Sequence, residues 1–146
     1  MLWLGEGIAG DDTDGHVDDI ARFAGPRTVL AAVEPDEEDP NHAPLAENLK
    51  RLRAMTDQDG RPLEVVEVPM PAPLEDEEGR WPASYLNFLV ANGLVLLPVF
   101  GDPQDEPARR ILERAFPGRS VVPVPASDLV VGMGTVHCLS QQMPAP

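Results

Sequence analysis

The sequence predicts an α/β protein built of short strand-strand-helix-strand units. Short β-branched runs alternate with segments of helical spacing. Gly and Pro punctuate the boundaries, with 17 prolines and 12 glycines in 146 residues. There is also an internal repeat: Glu-Val-Val-Glu-Val-Pro at 64–69 lines up with Ser-Val-Val-Pro-Val-Pro at 120–125, and the same order of elements precedes each copy. A unit of this kind leaves an apolar face that a neighbouring unit must cover.

Residues 1–8 are apolar and aromatic, broken by Gly5 and Gly7, and read as the tail of a strand. From His16 the run His-Val-Asp-Asp-Ile-Ala-Arg-Phe fits a strand or a short helix. If extended, it puts His16 and Asp18 on one face. Gly25-Pro26 turns the chain into a buried strand at 28–33, and an acidic loop covers 36–44. Leu45, Leu49 and Leu52 mark a helix over 44–55, ended by Asp57-Gln58-Asp59-Gly60. After the strand at 64–68 and a loop at 71–81, residues 84–90 and 94–100 predict a hairpin around Ala91-Asn92-Gly93. A second helix spans 106–116 with Ile111, Leu112 and Ala115 inward, and Pro117-Gly118 stops it. Strands at 120–124 and 135–139 complete the chain.

The charge narrows the function. Eleven basic residues against 25 acidic ones give a net charge of −14, which excludes nucleic acid, whose phosphates require Lys and Arg, and argues against an anionic membrane surface. A small cation is the compatible ligand. A single cysteine forms no internal disulfide, which suits the reducing cytoplasm. The longest apolar stretch, 93–100, is far short of the roughly 20 residues a membrane span needs.

Two polar clusters at opposite ends of the chain carry the chemistry. One is Gly132-Met133-Gly134-Thr135-Val136-His137-Cys138, and the other is Asp11-Asp12-Thr13-Asp14-Gly15-His16-Val17-Asp18-Asp19. A lone cysteine is most often a small buried hydrophobe. Its pairing with an imidazole and several carboxylates makes up the parts of a covalent site for a cationic substrate. The acidic run is not a calcium loop, because Gly10 and Ala21 stand where acids are needed. His16, His42, His137 and Cys138 form no Cys-x-x-Cys or His-x-x-x-His pair, so the reading calls for no metal and no cofactor. On an extended strand His137 would point away from Cys138 and serve a structural role.

Residues 3–23 closely resemble a segment of the agmatine deiminases. So do Pro82-Ala83-Ser84-Tyr85-Leu86-Asn87-Phe88, Phe100-Gly101-Asp102 and His137-Cys138-Leu139-Ser140-Gln141-Gln142-Met143-Pro144. Related bacterial-type peptidylarginine deiminases belong to the same guanidine-modifying (pentein) superfamily. The resemblance implies a five-bladed α/β propeller, of which residues 1–146 would form the C-terminal part of one domain, about two modules plus a cysteine-bearing strand, with the N-terminal modules absent. It also implies hydrolysis of agmatine to N-carbamoylputrescine and ammonia, with Cys138 as nucleophile, His16 as general acid/base and Asp18 on the guanidinium. Asp12 and Asp14 are further candidates to hold the substrate. Arginine or peptidylarginine is the alternative substrate, and an inactive remnant serving binding or oligomerisation is the alternative of another class. The partners expected are a cationic guanidine and either a second copy or a separate N-terminal half.

One departure stands out. The family usually has three glycines before the cysteine, and Met133 interrupts them here. A positive φ at that position would strain Met133.

Overall fold

The computed structural model describes residues 1–12 and 15–143. It shows two units of the same plan. In the first, a single helical turn, α1 (Val17–Ile20), leads into β1 (Ala21–Phe23). Strand β2 (Thr28–Val33) pairs antiparallel with β1, and helix α2 (His42–Ala54) crosses over to β3 (Glu64–Pro69), parallel to β2. A small hairpin, β4 (Glu75–Asp76) and β5 (Gly79–Arg80), separates the units. The second unit repeats the order: β6 (Leu89–Ala91) pairs antiparallel with β7 (Leu94–Val99), α3 (Asp105–Ala115) crosses over, and β8 (Ser120–Pro125) lies parallel to β7. The repeat read from β3 and β8 is therefore structural. Thr28 pairs with Glu64 as Leu94 pairs with Ser120, each pair opening its parallel ladder.

Burial follows the apolar pattern. Leu30, Val68, Leu97 and Leu112 lie in one core, with Phe88 edge-on to Phe116 at 5.4 Å. Helix α3 turns Ala108 and Leu112 inward, while Ile111 and Ala115 are only partly buried. Helix α2 buries Leu45 and Leu52 as its spacing predicts, and it begins two residues before the predicted start.

Four segments depart from the sequence reading, three of them for the same reason. Residues 1–8 form no strand. Instead side-chain amides hold this stretch: the Gly5 N–H donates to Asn48 Oδ1 of α2 (2.6 Å), Asn48 Nδ2 donates to the Glu6 carbonyl (2.8 Å), and just beyond, the Ala9 N–H donates to Oδ1 of Asn41, the residue before α2 (2.7 Å). Residues 84–88 form no strand but a buried turn, all five side chains inaccessible. Ser84 Oγ there donates to the Asp19 carbonyl and accepts the Leu86 N–H. Residues 135–139 turn as well, the Leu139 N–H closing on the Thr135 carbonyl at 3.1 Å. In each case a polar side chain satisfies the backbone in place of a ladder. The fourth segment, 16–23, is neither wholly strand nor wholly helix: α1 precedes β1, so alternation from His16 to Asp18 does not apply.

Candidate active site

The buried turn at 84–88 supplies the platform. Asn87, fully buried, reaches both chemistry-bearing segments. Its Oδ1 accepts the Thr135 N–H (3.1 Å), the Thr135 hydroxyl (2.9 Å), the His137 N–H (3.2 Å) and the Cys138 N–H (3.3 Å). Its Nδ2 lies 3.0 Å from Cys138 Sγ, 3.1 Å from Asp18 Oδ2 and 3.0 Å from Asp19 Oδ1. The two ends of the chain meet on this one amide.

Asp18 and Cys138 are thereby adjacent, the thiol donating to Asp18 Oδ2 at 3.4 Å. His137 joins them: its Nδ1 sits 2.6 Å from the same oxygen, and with a carboxylate as acceptor that nitrogen carries the proton. This corrects the expectation that His137 points away, which depended on a strand at 135–139; in a turn, neighbouring side chains can converge. All three donors crowd Oδ2, and Asp18 Oδ1 takes none from another described residue.

His16 occupies the other side of the cluster. Its backbone N–H donates to Asp11 Oδ2 at 2.6 Å and its ring Nδ1 lies 3.6 Å from Asp11 Oδ1. Asp11, His16 and Asp19 each bring a ligand-type atom within 4.8 Å of the others, a grouping that could hold a cation. His16 thus pairs with Asp11 and not, as expected, with Asp18. Asp12 is exposed, and Asp14 lies outside the described residues.

The electrostatics follow from burial and crowding. Desolvation pushes the Asp19 carboxyl up to about 7, the charge of Asp18 adds to it, and the Asn87 hydrogen bond opposes it. Asp19 Oδ2 is buried with no hydrogen-bond partner among the described residues. Desolvation acts on Asp18 too, but donors from His137 and Cys138 hold it below its ordinary value. The Cys138 thiol is raised by desolvation around the sulfur and by Asp18 and Asp19, while the Asn87 N–H pulls it down. The residue itself stands exposed at the rim.

Arg22, half-buried, is the nearby cation. Its Nη1 donates to the carbonyls of Leu86 and Phe88, both at 2.9 Å, and its guanidinium lies 4.5 Å from the Phe88 ring centroid. Those bonds hold the platform turn and leave the Asp18 carboxylate without an arginine partner. Asn87 and Arg22 escaped the sequence reading as site residues. The family-like run Ser84–Tyr85–Leu86–Asn87–Phe88 was the available signal for Asn87, masked by its strand-like apolar alternation.

An apolar groove of about 600 Å³ runs past Leu2, Trp3, Val17 and Phe23, and Cys138 is not among its lining residues. Among the described residues no helix is long and apolar enough to cross a membrane.

Comparison with known proteins shows the family. The agmatine deiminase of Pseudomonas aeruginosa (strain LESB58) is 38% identical over 164 residues, covering 100% of this chain and 45% of that protein. A Streptomyces coelicolor relative is 48% identical over 148 residues, covering 98% of this chain and 44% of its own length. The structure of the agmatine deiminase of Enterococcus faecalis superimposes with a TM-score of 0.91 at 34% identity, over 98% of this chain and 44% of that one. The chain thus spans less than half the length of these relatives. The profile of the Porphyromonas-type peptidyl-arginine deiminases matches residues 1–144, and the chain belongs to that family.

Proposed function

We propose that this chain carries the nucleophile-bearing part of a guanidine deiminase, with agmatine as substrate. One observation carries the reading. Asp18 lies within reach of the Cys138 sulfur, yet one of its oxygens accepts no hydrogen bond from another described residue. A guanidinium remains protonated at any working pH and presents planar N–H donors, so a carboxylate with an open oxygen is its natural partner. Held there, its electron-poor carbon lies beside the sulfur.

The step then balances as follows. Cys138 passes its proton to His16, and the sulfur forms a bond to the guanidinium carbon. The C–N bond to one terminal nitrogen breaks, and His16 supplies the proton with which ammonia departs. Water, deprotonated by His16, attacks the same carbon, and the C–S bond breaks to give the ureido product and the thiol. Because the neighbouring carboxylates disfavour a free thiolate, the arriving cation itself promotes ionisation of the sulfur. Asp12 and Asp14 are the next candidates for holding the substrate's guanidinium. The strand-strand-helix-strand units are read as modules of an α/β propeller completed by further modules or by a partner copy.

The family description favours a second reading for the tail of the substrate, with peptidylarginine or arginine in place of agmatine. Protection of Cys138 from iodoacetamide separates the readings. Agmatine is expected to slow alkylation, arginine and a blocked arginine peptide to do so less, and Asp18→Asn to abolish the protection. A thiol that agmatine does not protect, or that Asp18→Asn leaves protected, contradicts guanidinium binding at Asp18 and favours an inactive remnant.

A further inference from the structure

Asn87 is oversubscribed. Its amide orientation is set by chemistry, since backbone N–H groups face one end and carboxylates the other. The Nδ2 end has two hydrogens, and three acceptors lie at 3.0–3.1 Å: Asp18, Asp19 and the Cys138 sulfur. At any instant one of the three goes without. Asp18 Oδ2 is itself crowded by Asn87, His137 and the thiol. With Asp18 charged and the thiol protonated, an amide hydrogen favours Asp18 over the sulfur, because bonds to ionised acceptors are the stronger ones.

We propose that Asn87 is a positioning residue that couples guanidinium binding to the nucleophile. Its Oδ1 fixes the turn that carries Cys138, and an Nδ2 hydrogen bond shifts from Asp18 to the sulfur when a cation neutralises that carboxylate. The inference rests on Cys138 being the nucleophile. A purely structural Asn87 would anchor the 135–138 turn without any link between the charge on Asp18 and the reactivity of the thiol.

The test uses the full chain and the rate of Cys138 alkylation by iodoacetamide as a function of pH. Asp18→Asn stands in for neutralisation by the substrate. In the parent background it is expected to raise alkylation at pH 7 by about tenfold, one unit of thiol pKa. Asn87→Asp keeps an acceptor for the turn but has no N–H to give. In that background the same Asp18→Asn change is expected to raise alkylation by only about two- to threefold. An equal rise in both backgrounds overturns the proposal.

Should Asn87→Asp fail to fold, NMR of the unaltered chain decides. The Asn87 side-chain NH₂ signals are expected to shift with the midpoint of the Cys138 thiol, and that component should vanish in Cys138→Ser. Identical titrations in both proteins overturn the proposal. If these results hold while Cys138→Ser still releases ammonia in a protein of the relatives' full length, the nucleophile reading fails and takes the catalytic role of Asn87 with it, leaving only the link between the amide and the thiol.

Discussion

Met133 holds left-handed backbone, φ 66° and ψ 30°, at the end of the 3-10 turn Val130–Gly132. A side chain in that region costs about 1–2 kcal/mol, so the departure from a glycine run noted in the sequence is a local strain. Met133→Gly should raise stability by about 0.5–1 kcal/mol in urea unfolding, the gain trimmed by glycine's unfolded-state entropy; a loss of stability would contradict this. The next residue cannot be altered so freely. A Cβ on Gly134 would lie 2.6 Å from Cys138 Cβ and 2.8 Å from its sulfur. Gly134→Ala therefore has to displace Cys138, the proposed nucleophile, and should lower ammonia release roughly 10²-fold in a protein of the relatives' full length, as small misplacements do. Unchanged turnover would show that the sulfur's position here is not the productive one. That Asp18 and Cys138 come together was legible from the motifs. The approach of His137 and the hub role of Asn87 were not, because each depends on turns that join distant parts of the chain, and the local pairing of His16 with Asp11 depends on the turn between them.

Strands paired in register and helices with leucine spacing were the most readable elements. β2, β3, β7, β8, α2 and α3 lie within a few residues of their expected bounds, since periodicity and Gly/Pro boundaries both marked them. The misread segments, 1–8, 84–88 and 135–139, share buried polar anchors in place of ladder partners, and alternation alone does not distinguish a strand from a buried turn. The two units also differ in length. Their parallel ladders begin at Thr28 and Glu64 in one and at Leu94 and Ser120 in the other, the longer loop and helix of the first accounting for the excess. Within α3, burial is concentrated on Ala108 and Leu112. Leu112→Ala should cost about 2–5 kcal/mol in unfolding free energy and Ile111→Ala clearly less. Equal costs would mean that the packing of α3 is misassigned.

At the scale of the molecule, acidity and apolar exposure both have consequences. Asp19, raised to about 7 by burial and by Asp18, with Asp11 adding to the rise and His16 opposing it, holds its proton in the folded chain below that pH. Between about pH 4 and 7 the unfolded chain has released that proton, so stability falls as pH rises through this window, by at most about 4 kcal/mol. Asp18 acts in a separate window: held low, it loses its stabilising contribution as pH falls below its unfolded value. Asp19→Asn should accordingly be more favourable relative to the parent at pH 8 than at pH 5, by roughly 2–4 kcal/mol; a difference independent of pH would refute the shift. Trp3, Val17 and Phe23 stand 73%, 59% and 56% exposed along the apolar groove, beside the edge strand β1. Such a face predicts association at about tens of micromolar, weakened by Trp3→Ser with Phe23→Ser. A monodisperse monomer in light scattering would contradict it. The central claim, a covalent route through Cys138 beside a guanidinium-binding Asp18, is tested most directly by rapid acid quench during turnover of agmatine, in a protein of the relatives' full length that carries residues 1–146. Intact and peptide mass spectrometry should find agmatine less ammonia attached to Cys138, and Cys138→Ala should show neither adduct nor ammonia release. Sustained ammonia release by Cys138→Ala would contradict the account.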